Sequence, residues 1–546
     1  MYRIPKAKNQ GTMNITIRER VPLVFEALQN KSLKGIESIA KAIGISKSSV
    51  ARHQKGIERR NQYAESHLWE SREGSAWLKR MVCGTIFFFG IKHGIGVGEI
   101  SQFFRALHLE HHVGCSPSAL ATLKRQAKEM IVSYGAAQSE HCQPKEGQGI
   151  ILGSDEVFFG LAILVLMELA SGYIFTETQA EGRSYEEWTN ATPSLNEQSG
   201  WVCHGMVSDG AKALIKLAIE KMGCVSIPDL FHSMRSLGQP IVSGLGRHQS
   251  KLNKALAKAN ERLGKRISAS KRSETQQEIE RLKVQQESLS ADKSSYDTAI
   301  EDISKTFHPF ELGSGEAQTA QSIEQQLSPP LATLTTLSSS YGGTKASNAI
   351  ETFKQQVPHM AAGIHAWWHW VFAALAPLSD DVETQNWVIQ LLLPWVYWQQ
   401  QADRAQTIEL RDAYREAAHN AAQRLLTHAF TATLTPEQKQ TWLDWAQWMA
   451  NNYQRTSSAV EGRNGYLSRL HHSGRGFSAL DLSVFTIVHN FHLTRPDGTT
   501  AAQRLFEHEF PDLFEWVVEQ MGELPLARQS KKTQRPNPFY LEGFPA

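Results

Sequence analysis

The chain has 546 residues, of which 41% are hydrophobic and 21% charged, and its formal net charge is +2. A chain of this length exceeds one hydrophobic core, so we expect several domains. The apolar runs fall short of the ~18 residues that a membrane-spanning helix needs, and the start lacks an apolar leader segment. Five cysteines without paired spacing indicate a reducing compartment rather than a disulfide framework, which predicts a cytoplasmic protein.

The first 60 residues are strongly basic, with 13 Lys and Arg against four Asp and Glu. Within them, Gly44 is suited to end one helix and Ser46 to cap the next, while Ile45 and Val50 would fill the angle between the two. This pattern predicts a helix-turn-helix domain at 1–62, whose second helix would enter the major groove of DNA. Its candidate DNA-binding residues are Lys47, Ser48, Ser49, Arg52, His53, Lys55, Arg59 and Arg60. The alternative is a plain helical hairpin on a surface.

Residues 63–145 are predicted to form a second all-α domain. Ser116 and Pro117 make a good helix start, because serine caps the free N–H groups and proline suits the first helical position. A helix within 96–107 precedes them, so this domain could contain a second helix-turn-helix.

Residues 146–240 change to short runs of strand formers, in the order strand, strand, strand, helix, strand, helix, strand. Strands joined by a tight turn pair antiparallel, whereas helical crossovers connect parallel strands. The order therefore predicts a mixed five-stranded sheet of the RNase H type. We expect this first part of an α/β core at 146–240 and its C-terminal part at 451–525.

Residues 241–450 offer no strand candidate, so a large all-helical insertion is predicted there. Apolar residues at helical spacing in 247–305 favour long amphipathic helices, for which an antiparallel coiled-coil hairpin is one arrangement. Residues 312–345, rich in Ser, Gly and Pro, are predicted to be a loop. The tryptophans that follow, such as Trp367, would either fill a helical core or stack on an unpaired base, and their number favours the core. Residues 526–546 are predicted to be an extended tail.

Two aspartates stand at the ends of predicted strands, Asp155 after one apolar run and Asp209 after another. Glu461 lies far downstream in a segment of small residues. Three such carboxylates are the oxygen ligands that a pair of Mg²⁺ ions needs. The neighbouring Glu156 would point to the other face of its strand and away from this site. For each aspartate the alternative is a turn-capping role, and other acids compete with Glu461 for the third place.

Small residues surround these acids where a DNA backbone would have to come close. Gly153 and Gly210 would leave room for a phosphate beside the two aspartates. On a helix, Glu461 and Asn464 would share one face. The residues of this segment predicted to contact DNA are Arg463, Asn464 and Arg469.

The order of Asp155, Asp209 and Glu461 within this strand pattern resembles that of the DDE transposases of the RNase H-like superfamily, over 149–232 and 455–495. The sequence Asp229-Leu-Phe-His232 is similar to a short motif after the fifth strand in the Mutator-like and hAT-like groups. Residues 490–504 look like the closing segment of several bacterial insertion-sequence transposases. The Tyr-Arg-Glu-Lys signature of one large group is not evident around Glu461.

The resemblance implies a transposase that binds the terminal inverted repeats of an insertion sequence and cleaves and transfers DNA strands. Asp155, Asp209 and Glu461 would be catalytic and would hold Mg²⁺, or Mn²⁺ as a substitute, with Asp229 and His232 as accessory residues. The partners would be double-stranded DNA, at the transposon ends and the target, and further copies of the chain, in at least a dimer. The location would be the bacterial nucleoid, with no membrane involved. Two alternatives remain open: a non-catalytic helix-turn-helix regulator derived from a transposase, and an RNase H-like nuclease.

Overall fold

The structure is a computed structural model that describes residues 17–474 and 476–527. The chain divides into two compact units. One unit comprises Met1–His141, Ser468–Gln503 and His508–Ala546, and the other comprises Cys142–Leu467 and Arg504–Glu507. Most of the predicted tail at 526–546 lies outside the described residues.

Three helices open the described chain: α1 (Ile17–Gln29), α2 (Gly35–Ile43) and α3 (Lys47–Arg60). Helix α2 ends where Gly44 takes a φ of 73°, a left-handed conformation that glycine adopts without strain. The side chain of Ser46 caps α3 by accepting a hydrogen bond from the Ser49 N–H. The three helices share an apolar core of Val24, Ile39, Ala40, Val50 and Ile57. The helix, turn and helix predicted here are therefore present.

Further helical segments complete this part of the first unit. They are a 3₁₀ helix at Ala64–Glu70, α4 (Arg72–Gly84), a π-helix at Thr85–Lys92, α5 (Val97–Ala106), a 3₁₀ turn at Leu109–His111, α6 (Pro117–Gln138) and a 3₁₀ turn at Ser139–His141. Helix α6 begins as predicted, because the Ser116 side chain accepts from the Ala119 N–H and Pro117 occupies the first turn.

The second unit contains a five-stranded sheet. Its strands are β1 (Gln148–Phe159), β2 (Leu161–Glu168), β3 (Ile174–Ala180), β4 (Trp201–Ser208) and β5 (Val225–Pro228). They lie in the order β3-β2-β1-β4-β5. The pairs β1–β2 and β2–β3 are antiparallel, whereas β1–β4 and β4–β5 are parallel. This is the mixed five-stranded sheet that the strand and helix order predicts.

Helical crossovers connect the parallel strands. Between β3 and β4 lies α7 (Tyr185–Ala191), which begins at a capping box between Ser184 and Glu187. Between β4 and β5 lies α8 (Lys212–Lys216), which continues into a π-helix at Leu217–Lys221. The crossovers place the ends of β1, β4 and β5 along one edge of the sheet.

A large helical region follows β5, as predicted. Its helices are α9 (Leu230–Gly264), α10 (Ala269–Thr306), α11 (Ala320–Tyr341), α12 (Gly343–Leu375), α13 (Val382–Trp387), a π-helix at Val388–Leu392, α14 (Leu393–Arg404), α15 (Ile408–Thr427), α16 (Ala429–Thr433) and α17 (Pro436–Asn451). The long helices α9 and α10 pack against each other, as expected of a helical hairpin.

The predicted loop at 312–345 is wrong, because most of it forms α11. Apolar residues of this helix recur at helical spacing and are buried: Ile323, Leu327, Leu331, Leu334 and Leu337. Two prolines, Pro329 and Pro330, lie inside the helix. Burial of the apolar stripe outweighs the helix-breaking preference that the composition suggested.

The tryptophans of α12 belong to the helical core. Trp367, Trp368 and Trp370 are 3%, 7% and 4% exposed. Burial excludes them as a surface on which an unpaired base could stack, and the core interpretation is confirmed.

Four more helices complete the described part of the chain: α18 (Ser458–Gly474), α19 (Ala479–Phe491), α20 (Ala501–Phe506) and α21 (Leu513–Gln520). Helix α18 starts in the second unit and carries Glu461. Among the described residues, every helix is too short or too polar to cross a membrane.

Candidate functional site

Asp155 lies on β1, and Asp209 directly follows β4, the parallel neighbour of β1. Gly153 on β1 pairs with Val207 on β4, so the two aspartates, each two residues further on, lie level with each other. Asp155 is partly buried, and this burial raises the pKa of its carboxyl, to which the negative charge of Asp209 adds. The two carboxylates therefore lie close enough to interact.

Asp209 is exposed and directly follows β4. Its Oδ1 accepts a hydrogen bond from the Ala211 N–H at 2.8 Å, which is a turn-capping contact. Gly210, between them, has a φ of 83° and open space around its Cα. Asp209 thus makes the turn-capping contact that the alternative interpretation expects, and it also lies beside Asp155.

Helix α18 brings Glu461 and Asn464 to the same place. The Nδ2 of Asn464 donates a hydrogen bond to the Oδ2 of Asp155 at 2.8 Å. The Oε1 of Glu461 lies 2.7 Å from the Nε2 of His232, near the start of α9. Glu461 and Asn464 share a helix face, as predicted, and His232 contacts one of the three predicted acids.

Asp229 holds the start of α18. It follows β5 directly and is 1% exposed. Its Oδ1 accepts from the His232 N–H and so caps α9, and its Oδ2 accepts from both the N–H and the hydroxyl of Ser457. Ser457 immediately precedes α18 and lies four residues before Glu461. The buried carboxylate of Asp229 therefore joins the end of β5 to the starts of α9 and α18.

The predicted DNA contact at Arg463 is wrong. Its guanidinium donates two hydrogen bonds of 2.6 Å to the carboxylate of Glu177 on β3, and the two side chains are only 2% and 0% exposed. One face of α18 packs on the sheet, and Arg463 lies on that face, although a charged side chain is expected to lie in solvent. Glu177 is not among the residues predicted from the sequence, where its one signal is an acid in the middle of a strand.

The interpretation of Gly153 also needs correction. A Cβ at this position would lie 2.5 Å from the Leu169 side chain and 3.1 Å from that of Val460 on α18. Gly153 therefore permits close packing of α18 and Leu169 on β1, rather than the approach of a phosphate.

Glu156 lies nearer to the site than strand alternation suggested. Its side chain is 3% exposed, its Oε1 is buried without a hydrogen-bond partner, and the Nη1 of Arg183 is 3.9 Å away. Burial and the charges of Asp209 and Asp155 raise the pKa of Glu156 to about 7. Asp209, beyond the strand end, is thus close to both acids of β1.

The donor set suits a hard divalent cation. Carboxylate oxygens are the ligands that Mg²⁺ prefers. One buried oxygen of Glu156 has no hydrogen-bond partner, and the negative charges of the neighbouring acids repel one another. A bound cation would relieve this repulsion. Within the described part of the chain, no group of three or more His, Cys, Asp or Glu side chains is already arranged to hold a metal ion. Glu461 instead contacts His232, so its carboxylate would have to turn.

The candidate DNA-binding side chains of α3 differ in their exposure to solvent. Five of them are exposed: Lys47, Ser48, Arg52, Lys55 and Arg59. Ser49 and His53 are partly buried, and Lys47 forms an exposed ion pair with Glu37. On α18, Arg469 is also exposed.

Arg60 is the exception on α3. It donates to both carboxylate oxygens of the buried Glu70, at 2.9 and 2.8 Å. This pair joins α3 to the 3₁₀ helix after it, so the prediction of a phosphate contact at Arg60 is wrong in this arrangement.

Residues 388–533 match the family of unknown function DUF6399. The matched segment contains Glu461 and the rest of α18, whereas Asp155 and Asp209 lie outside it. A comparison with curated proteins gives no match.

Proposed function

We propose that the chain is a metal-dependent DDE-type transposase of a bacterial insertion sequence, with an RNase H-like core interrupted by the helical region. The observation that carries the proposal is the convergence of Asp155, Asp209 and the Glu461 face of α18 at one edge of the sheet. These residues come from segments more than 50 and 250 positions apart, so chance capping of separate turns does not account for their meeting.

The sheet supports the same proposal. A β3-β2-β1-β4-β5 order, antiparallel for the first three strands and parallel for the last two, is the arrangement expected of an RNase H-like core. The first acid lies on the central strand β1 and the second follows its parallel neighbour β4. The long helical region between β5 and α18 fits an insertion before the third acid.

Asp155, Asp209 and Glu461 would hold two Mg²⁺ ions, with Mn²⁺ as a substitute. When bound, such ions lower the pKa of a water or a DNA 3′-hydroxyl and neutralise charge on the leaving oxygen. Asn464 holds one oxygen of Asp155 in a fixed orientation. His232 contacts Glu461 and would hold its carboxylate beside the site.

The N-terminal helices would supply recognition of DNA. Helix α3 presents exposed basic and polar side chains, and it would read the terminal inverted repeats in the major groove. Two repeat ends have to be brought together, so we propose an assembly of at least two copies acting on transposon ends and target DNA in the nucleoid.

The experiment uses purified full-length protein and labelled DNA from the ends of the element, with and without Mg²⁺. We expect metal-dependent nicking and strand transfer, and loss of both in Asp155→Asn, Asp209→Asn and Glu461→Gln with repeat binding retained. Full cleavage by all three variants would refute the proposal. Lys128→Met, in the other unit, is a matched single-charge control that should cleave normally.

The same assay separates the alternatives. An RNase H-like nuclease would cleave branched DNA or RNA without joining ends and without preference for the repeats. A regulator would bind the repeats without any cleavage. Inverted repeats flanking the reading frame would favour the transposase over both.

A further inference from the structure

Arg463 is a charged residue in the middle of the buried stripe of α18. Val460 and Leu467, on either side of it along this stripe, are fully buried. Its fork of two 2.6 Å hydrogen bonds ends on Glu177, which lies on β3, the strand at the far edge of the sheet from β5. Helix α18 is thus attached to the sheet by a directional contact as well as by apolar packing.

A gain in folding stability does not by itself explain a buried ion pair such as Glu177 and Arg463. Removing two charges from water costs as much as their attraction returns, and apolar residues of similar size often do as well. A bidentate guanidinium–carboxylate contact differs from apolar packing because it fixes distance and direction together. The particular contribution of Glu177 and Arg463 is therefore geometric.

The geometry concerns rotation of α18 about its own axis. Each residue turns the helix by ~100°, so Glu461 and Asn464 project at fixed angles from Arg463. The Asp229–Ser457 contacts already hold the beginning of the helix. With the start held by Asp229 and the rotation held by Glu177, Glu461 can meet His232 while Asn464 meets Asp155.

We propose that Glu177 and Arg463 are positioning residues that set the rotation of α18 and so hold Glu461 and Asn464 against His232 and Asp155. Their effect on catalysis rests on the proposed function, whereas their effect on geometry does not. Neither residue touches the substrate in this arrangement, because both side chains are enclosed.

The test compares three variants of the full chain: Arg463→Met, Glu177→Met and the double variant. Each single variant leaves one buried charge without its partner and should melt at a lower temperature than the wild type. The double variant removes both charges and should regain most of that loss. Arg463→Lys keeps the charge without the fork, and Lys128→Met, which breaks an ion pair with Asp481 in the other unit, is the control.

Two readouts report on position. The first is the side-chain amide NMR signal of Asn464 in asparagine-labelled protein, assigned by its loss in Asn464→Asp and shifted by the bond to Asp155. The second is cleavage of repeat DNA, resolved into kcat and KM. In the double variant we expect the amide signal to lose its shift and kcat to fall by about 10- to 100-fold with KM unchanged.

A double variant that regains its melting temperature, its amide shift and its kcat together would overturn the inference, since the pair would then act only on stability. Loss of the amide shift in the double and Arg463→Lys variants, but not in Lys128→Met, would support it. If the wild type cleaves no DNA while the amide shift still depends on Glu177, the positioning role stands and the proposed function fails.

Discussion

The imidazole of His232 and the carboxylate of Glu461 lie against each other, with 2.7 Å between Nε2 and Oε1, although the whole helical region separates them in the sequence. Their side chains are 34% and 32% exposed, so the pair is partly open to solvent although the Nε2 atom itself is buried. A side-chain contact that is partly open to solvent contributes at most about 1 kcal/mol to folding. The pair is therefore better explained by what it does to Glu461 than by stability.

Replacing His232 by Ala should separate activity from stability. We expect the free energy of unfolding to change by no more than about 1 kcal/mol, because the contact is partly open to solvent. Metal-dependent cleavage should fall by about 10- to 100-fold, the usual effect of removing a residue that orients a metal ligand. Urea unfolding and a nicking assay measure the two quantities. Wild-type cleavage by His232→Ala would remove this residue from the mechanism.

Replacing Asp229 by Ala should, in contrast, mainly lower the folding stability. Its carboxylate accepts three hydrogen bonds in the interior, and the change would leave two N–H groups and a hydroxyl without their acceptor. An unsatisfied buried group costs about 1–3 kcal/mol, so we expect a loss of several kcal/mol in urea unfolding. Ser457→Ala removes only the hydroxyl contact and should cost about 1 kcal/mol. Equal losses in the two variants would contradict the joining role of Asp229.

The sheet and the meeting of its acids were predictable because they follow from local patterns. Strand runs, turns and crossovers in 146–240 determine the strand order, and helical spacing places Glu461 and Asn464 on one face. The inward face of α18 was not predictable in the same way. Spacing groups residues by face, but only the partner strand decides which face is buried. The charge of Arg463 therefore predicts a DNA contact, whereas its partner Glu177 holds it in the interior.

Gly153 shows a second limit of sequence reasoning. A glycine beside a carboxylate has the same sequence pattern whether it admits a ligand or a neighbouring side chain. Here the neighbours are Leu169 and Val460, from another part of the sheet and from α18. The helix at 320–341 shows the same limit, because tertiary packing overrode its local composition.

Glu156 predicts a pH dependence of stability. Burial and the nearby acids raise its pKa from an ordinary 4.5 to about 7. Between these values the folded protein keeps a proton that the unfolded chain has lost, so this group lowers stability as the pH rises through that window. Glu156→Gln removes the effect, and its melting temperature relative to the wild type should increase from pH 4.5 to pH 7.5.

Added Mg²⁺ provides the control for that prediction. A cation near these acids would favour the ionised carboxylate, so the advantage of Glu156→Gln at pH 7.5 should shrink when Mg²⁺ is present. If the difference in melting temperature between Glu156→Gln and the wild type stays constant across the pH range, the neighbouring acids do not raise the pKa of Glu156.

The two arginines at the end of α3 should differ, although they are adjacent in sequence. Arg59 is exposed, whereas Arg60 is held by the buried Glu70. Arg59→Gln should weaken binding to all DNA and reduce the log–log salt slope by about one unit, as expected for one lost phosphate contact. Arg60→Gln should lower the melting temperature and leave the salt slope unchanged. Equal salt slopes for the two variants would contradict this assignment.

The start of α3 should affect sequence preference rather than overall affinity. If α3 is a recognition helix, Ser49 and Arg52 near its start would reach base edges, and a lost base contact costs about 1–3 kcal/mol at the base that it reads. Arg52→Gln should therefore change the ranking of end sequences in a competition assay while the salt slope falls little. Deleting residues 1–60 tests the whole module. If the deletion leaves affinity for terminal-repeat DNA unchanged, the helix-turn-helix packs on the protein without binding DNA, and recognition of the ends must lie elsewhere in the chain.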